Sequence, residues 1–315
     1  MGNEIHIALS PDDDYTEHAA VCAISACENM RGESLVFHIL DTGLCEASKR
    51  SFLTIAETYR DVQVVFEKID SSIFNAYRNS ERYSIQTLLP MILPEIKTCK
   101  NLKRIIYLDS DTVVKSSLKP LWDMEFGNNY IMAVEDIESK RLSRKFLKGR
   151  EKFFNSGVMV LNCDMWRRDD ISLRAVKMAI DNSNSVYGCC DNVLNILFAG
   201  FVKFLDLKWN LQYSPMDIYP EFENNKEFEE AIKNPAIIHF FGEFKPWELG
   251  FGHFCPKQED YLRYHKLTLY KKENYKNFQA QDRANALRGL MHFIFYHPLF
   301  FLESGYWRNI FKKIK

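Results

Sequence analysis

The chain has 315 residues, 46% hydrophobic and 26% charged, an ordinary globular profile with enough apolar material for a full α/β core, which excludes a disordered or membrane-embedded chain. Its 41 basic and 42 acidic residues give a formal net charge of -1, so there is no overall attraction to nucleic acid and any electrostatic specialisation is local. The eight cysteines form no CxxC pair and no zinc-like spacing and read as reduced thiols, while the absence of a secretory pattern and of an eighteen-residue apolar run predicts a cytoplasmic protein.

In chain order, Ile5 to Leu9 reads as a short strand, Ala19 to Glu28 as a helix of small and apolar residues, and Ser34 to Leu40 as a second strand ending in a polar turn. Lys49 to Arg60 suits a helix and Val62 to Phe66 a third strand. The order βαβαβ implies a parallel sheet with crossover helices. Helical or irregular chain follows through Gln86 to Ile96, and then Ile105 to Leu108 is apolar at every position, as a strand covered on both faces must be. TVVKSSLKPLW continues as a further strand or turn. Tyr130 to Val134 and Gly157 to Asn162 read as strands, Ser172 to Asp181 and Asn192 to Phe198 as helices, and Pro235 to Phe241 as one more buried strand.

The composition changes after about residue 256. Gln281 to Lys315 holds six basic residues against two acidic ones, a local balance of +4, crowded with aromatics. Two readings fit: an element lying in a membrane interface beside anionic lipid, or a helical subdomain packing its aromatics on the main domain. His292, His297 and Pro298 interrupt the run, so it is not a spanning helix.

Chemistry concentrates at IIYLDSD, residues 105 to 111, where Asp109 and Asp111 follow the buried strand. The carboxyl ends of strands are where open α/β sheets bind ligands, and two carboxylates there suit a hard divalent cation with positions left for diphosphate oxygens. A D-x-D pair is equally at home as a solvated turn.

Several ordered motifs go further: ALSPDDDY at 8–15, YLDSDTVV at 107–114, FNSGVMVLN at 154–162, DNVLN at 191–195, KWNLQ at 208–212 and HFFGEFKPW at 239–247. Together they resemble glycosyltransferase family 8, the retaining group that includes bacterial lipopolysaccharide galactosyl- and glucosyltransferases and is related to glycogenin. The resemblance implies a GT-A fold, a Rossmann-like mixed, mainly parallel sheet flanked by helices, over residues 1–265, with a small C-terminal helical appendage at 266–315. It implies a UDP-hexose donor, a glycan or glycolipid acceptor, and Mn²⁺, or Mg²⁺ in its place. Asp109, Asp111 and His239 match the family's metal ligands. Ser10, Asp12, Asp14, Tyr15 and Ser110 match nucleotide positions, and Gly242 and Lys245 the phosphate loop. Asn155, in an Asn-small-Gly element, matches a donor-sugar contact.

Two positions depart from the family. Gln86 stands four residues before Pro90 where members have arginine, and Cys190 to Asn195 replaces Asp-Gln-Asp-x-Leu-Asn. A glutamine supplies no fixed cation and a thiol does not accept hydrogen bonds as a carboxylate does. The expected catalytic set is Asp191, Gln86 and Asn155; three readings of the departures stay open, a local shift that puts Asp191 in the lost aspartate's place, a different donor sugar, and reduced transferase activity. The expected reaction is metal-dependent retaining hexosyl transfer; the alternative is a nucleotide-sugar-binding protein with reduced or altered transferase activity. Peripheral contact with the inner membrane face through residues 281–315 is expected, and no nucleic-acid partner.

Overall fold

In the computed structural model, which describes residues 4–74, 76–77, 84–185, 189–212, 225–241, 245–247, 255 and 257–271, the chain opens as β1 (Glu4–Leu9), α1 (Thr16–Asn29), β2 (Ser34–Asp41), α2 (Glu46–Thr58) and β3 (Val62–Lys68). These three strands pair in parallel, β1 with β2 and β2 with β3. A 3₁₀ segment at Ile85–Glu95 follows, its α-type ladder prevented by Pro90 and Pro94. Next come β4 (Arg104–Leu108), β5 (Thr112–Val114), α3 (Lys119–Trp122), β6 (Ile131–Glu135), α4 (Ser139–Phe146) and β7 (Phe154–Asn162). The described chain then runs through α5 (Cys163–Arg168), α6 (Ile171–Asp181), α7 (Cys190–Leu197), β8 (Val202–Leu205), β9 (Leu211–Gln212), α8 (Asn225–Lys233), β10 (Ile237–His239) and α9 (Gln258–His265).

The main sheet has the order β3-β2-β1-β4-β7-β6-β8. It is mixed because β7 runs antiparallel to both β4 and β6. Two apolar layers cover it. On β4, Ile106 and Leu108 belong to one core and Ile105 and Tyr107 to the other, all at most 2% exposed. Burying an isoleucine or leucine contributes about 1.5–3 kcal/mol, so every position from Ile105 to Leu108 is committed to packing before Asp109.

Helix α1 is apolar on nearly all sides because it is enclosed. Ala19, Ala20, Ala23 and Ala26 let it approach its neighbours closely, and Asn29 and His18 tie it to α9. Asn29 Nδ2 donates to the Tyr264 hydroxyl at 2.8 Å, and His18 Nδ1 lies 2.7 Å from the Tyr261 hydroxyl. A second sheet, β5-β10-β9, stands apart from the first. Its antiparallel β5–β10 pairing sets His239 opposite Thr112. The basic aromatic segment 281–315 and Gly242 lie outside the described residues.

Candidate active site

The strand order reverses between β1 and β4: the chain moves from β1 toward β2 and β3 on one side, while β4 continues toward β7 on the other. Such a switch point leaves a crevice at the strands' carboxyl ends. A cavity of about 260 Å³ opens there, lined by Ser10, Asp12 and Tyr15 after β1 and by Asp109, Ser110 and Asp111 after β4, with Gln86 at its side. Asp14 is exposed and lies outside this lining. Within the acidic triplet, Asp12 accepts from the Tyr15 amide at 2.9 Å, and Asp13 accepts from Cys45 N and Ser48 Oγ, which anchors the turn to α2.

The register of β5 against β10 carries His239 to the two aspartates. Its Nε2 lies 3.2 Å from Asp111 Oδ1 and 3.7 Å from Asp109 Oδ2, and one ligand-type atom from each of the three lies within 4.8 Å of the others. Lys245 Nζ donates to Asp111 Oδ2 at 2.6 Å and to the Phe240 carbonyl at 2.8 Å. Burial and the Asp111 charge push Asp109 up to about 6. Burial would raise Asp111 too, but Lys245 and His239 outweigh it and hold this carboxyl far below the usual range. Burial opposes charge on His239 and on Lys245, yet Asp111 raises both above their ordinary values.

A hydrogen-bond chain sets the imidazole's orientation. Asp136 Oδ2, an acceptor, takes a hydrogen bond from Asn155 Nδ2 at 3.2 Å. Asn155 Oδ1 then accepts from Gly157 N at 3.1 Å and from Asn210 Nδ2 at 2.9 Å. That leaves Asn210 Oδ1 facing His239 Nδ1 at 3.1 Å. The network assigns the proton to Nδ1 and turns the Nε2 lone pair toward the aspartates. All four side chains are buried. On the other flank, the Tyr107 hydroxyl donates to Asp109 Oδ1 at 2.9 Å and pairs with Ser10 Oγ at 2.8 Å.

These features fit a divalent cation. Asp111 Oδ1 is buried without a hydrogen-bond partner, and it faces an imidazole lone pair at 3.2 Å. Two lone pairs so placed repel unless a cation or a proton lies between them. One imidazole and two carboxylates are also a donor set that manganese accepts. Gly157 shows how tightly the group is packed: a Cβ there would meet His239 Cε1 at 2.2 Å and Asp109 Oδ2 at 2.9 Å.

Gln86 Nε2 donates to Thr42 Oγ1 at 3.1 Å, and its Oε1 accepts from Ser84 Oγ, so the amide is held at the cavity's edge. Cys190 is buried at the start of α7, its thiol pushed well above the ordinary value by burial and by neighbouring Asp191. Asp191 Oδ1 accepts from Ser156 N at 3.1 Å, which sets this carboxylate against the Asn155–Gly157 turn. Asn195 locks α7 to β7 with two hydrogen bonds to the Phe154 backbone. Trp247 stacks on His18 at 3.6 Å between ring centroids, and Tyr15 meets it edge-on at 6.2 Å.

Sequence reasoning did not single out Tyr107, Asn210 or Asp136. Tyr107 stands two residues before Asp109, and Asn210 lies inside KWNLQ, so both carried a positional signal. Asp136, pushed up to about 6 by burial, carried none. A second group, His38 on β2, Glu67 on β3 and Cys99, is buried toward the β3 side of the sheet. Its polar atoms satisfy one another, with His38 Nδ1 at 2.8 Å from Glu67 Oε1.

The family model described as glycosyl transferase family 8 matches residues 6–249. The chain is similar to general stress protein A of Bacillus subtilis, 25% identical over 273 residues that cover 84% of this chain and 94% of that protein. It is 25% identical to lipopolysaccharide 1,3-galactosyltransferase of Salmonella typhimurium, covering 78% and 73% of the two chains. It is 27% identical to lipopolysaccharide 1,2-glucosyltransferase of Escherichia coli, covering 77% and 73%. Among solved structures, the galactosyltransferase LgtC in complex with donor and acceptor sugar analogs aligns with a TM-score of 0.71 at 23% identity, over 87% of this chain and all of that one. The bifunctional glycosyltransferase WbbM aligns with a TM-score of 0.72 at 21% identity, and this chain spans about half its length, 52%.

Proposed function

Because the chain belongs to glycosyltransferase family 8 and has the GT-A fold, we propose that it transfers a hexose, glucose or galactose, from a UDP-sugar to a hydroxyl of a glycan such as a lipopolysaccharide or surface polysaccharide, with retention at the anomeric carbon. The observation that carries this reading is the meeting of Asp109, Asp111 and His239, remote in sequence, at the mouth of the switch-point cavity, with a buried carboxylate oxygen lacking a partner. In this reading the three side chains hold Mn²⁺, with Mg²⁺ as substitute.

Bound there, the ion supplies positive charge to a departing diphosphate. The chain's own residues do the rest. Ser10, Asp12, Tyr15 and Ser110 hold the nucleotide, with Asp14 at the rim. Lys245, already beside Asp111, sets a second positive charge against the phosphates, and Gly242 is proposed to serve the same group. Asn155 and Asp191 hold the donor sugar at the Asn155–Gly157 turn, and Gln86 replaces a cation at the cavity's edge, which makes donor choice sensitive to this position. Preorganised charge and fixed orientation lower the barrier without a dedicated protein nucleophile. Retention then follows from attack on the face the diphosphate leaves, the leaving phosphate taking the acceptor's proton.

The proposed workplace is the inner face of the cytoplasmic membrane, with 281–315 aiding attachment. Among the described residues no helix is long and apolar enough to cross a bilayer. Incubation with Mn²⁺ and a panel of UDP-hexoses tests the reading. It predicts release of UDP rather than pyrophosphate and a first-formed product with the donor's anomeric configuration by NMR. An inverted product, or no UDP release across the panel, removes it.

A further inference from the structure

The β6–β7 connection carries a charge that neither the fold nor the cleft requires. Residues 140–152, KRLSRKFLKGREK, hold seven basic residues and one acidic one, a balance of +6 in a chain of net charge -1. All seven basic side chains are exposed. On α4 the spacing of Lys140, Arg141, Arg144 and Lys145 is i, i+1, i+4, i+5, which at about 100° per residue places the four on one face. The opposite face is spent on the protein: Ser139, Ser143 and Leu147 are buried, and Phe146 packs on Phe153 at 6.0 Å. Lys148 and Gly149 take left-handed backbone, φ 57° and 69°, and the turn brings Arg150 and Lys152 back beside the helix.

Local carboxylates offset part of this charge and leave the rest to solvent. Arg141 pairs with Glu138, and Lys152 with Glu135 at 2.8 Å. Glu135, Glu151, Asp206 and Glu227 share with Lys140, Arg144, Arg150 and Lys152 the wall of a 640 Å³ cavity beneath the segment. Glu227 is engaged there with Leu207 N at 3.0 Å. Among the described residues, Arg144, Lys148 and Arg150 form no ion pair. The platform is also rigid, because Phe153 N donates to Ser139 Oγ at 2.9 Å and both Leu147 N and Gly149 N donate to the Ser143 carbonyl. A partner docking here does not have to order it.

Position gives the patch a use. The segment leaves the sheet just after Asp136 and returns just before Asn155, the two residues hydrogen-bonded to each other beside His239's support. Because β4 and β6 both run antiparallel to β7, the patch stands on the same edge of the sheet as the candidate active site.

We propose that the cationic face of α4 and the 148–152 turn dock on an anionic lipid surface, by charge and without insertion, and present the cleft to it. Four or more Lys or Arg side chains on an amphipathic helix recognise anionic headgroups, each contributing a factor of about five in affinity near the surface. With α4's apolar face committed to the protein, the contact is electrostatic and falls steeply with salt. The docking stands on the patch alone. Its purpose, bringing a lipid-linked acceptor hydroxyl to the donor, rests on the sugar-transfer reading.

The test uses the full chain and a Lys140→Gln, Arg144→Gln, Lys145→Gln variant, cosedimented with phosphatidylcholine vesicles with and without phosphatidylglycerol at low and high salt. Mn²⁺-dependent UDP binding is measured on the same samples. Expected is binding of the unaltered chain only to phosphatidylglycerol vesicles, reversed by salt, and a loss of about 100-fold in the variant with UDP binding unchanged. Equal vesicle binding by the variant would overturn the proposal and assign any membrane contact elsewhere. Binding of soluble short-chain polyphosphate without vesicle binding would overturn it in favour of a polyanionic glycan. Absence of UDP binding in both proteins would count against the transferase reading and leave the docking result standing.

Discussion

Replacing Gly157 with alanine adds a methyl group where the structure leaves no room for one. Its Cβ would sit 2.2 Å from His239 Cε1, 2.7 Å from Nδ1 and 2.9 Å from Asp109 Oδ2. Carbon contacts settle at about 3.5–4.0 Å, so the imidazole must withdraw by about 1.5 Å. It cannot do so freely, being held by Asn210 at 3.1 Å and by its strand pairing with Thr112. Metal–ligand distances tolerate only about 0.2 Å, so the ring is lost as a ligand. Disturbing even an outer-shell partner of a metal ligand costs about 10–100-fold in affinity, and loss of the ligand itself belongs at the top of that range. The added methyl also overpacks the fold by about 1–3 kcal/mol. Titration of free Mn²⁺ by electron paramagnetic resonance on both proteins, with a thermal melt to establish folding, measures the effect. A folded Gly157→Ala protein with unchanged Mn²⁺ affinity would refute the claim that the glycine exists to admit this histidine to a metal site.

Other expectations follow from the same geometry. Asn210→Ala should release the His239 tautomer and weaken Mn²⁺ by about 10-fold or more, whereas Asn210→Asp keeps an acceptor at Nδ1; ¹⁵N NMR of the imidazole reads the tautomer directly, and a wild-type pattern in the alanine variant would contradict the chain of bonds. Asp109 must lose its proton to take the ion, and its carboxyl is raised to about 6, so a proton competes at higher pH than at an ordinary carboxylate. His239, also raised by Asp111, must lose its proton as well, so Mn²⁺ affinity should fall as pH drops through neutrality and steepen to more than about tenfold per unit below 6, and a flat profile down to about pH 5 would rule these ligands out. Lys245→Met removes the cation beside Asp111 and should weaken UDP far more than Mn²⁺ alone, by calorimetry about tenfold or more; equal weakening of both would show that the lysine serves the site's folding instead.

Much of this architecture was legible because burial writes itself into composition. β2 and the Ile105–Leu108 part of β4 are apolar runs that match a strand covered on both faces, and the crossover order of the first three strands implied their parallel pairing. Helix α1 was visible in its alanines, though it starts at Thr16, three residues earlier than expected, because the Asp12–Tyr15 turn feeds directly into it. By contrast α4, α8 and α9 went unread. They are short, mostly charged, and show few apolar residues from which to count a helical period. The second sheet could not be foreseen, since β5 and β9 have only three and two residues and pair with a strand remote in sequence. Its consequence is the site itself. Asp109 and Asp111 announced themselves by interrupting an apolar strand, but His239 reaches them only through that pairing. Asn210 and Asp136 act through a third residue, and a side chain whose function is to orient another leaves no spacing to detect.

The central claim is that Asp109, Asp111 and His239 grip one divalent ion that anchors a nucleotide diphosphate. Anomalous diffraction from crystals grown with Mn²⁺ and UDP tests it most directly. The account predicts a single manganese peak within about 2.5 Å of an oxygen of each aspartate and of His239 Nε2, with both phosphates of UDP on the same ion. A manganese peak elsewhere, or UDP seated in the cleft with no metal between its phosphates and these three side chains, would contradict it.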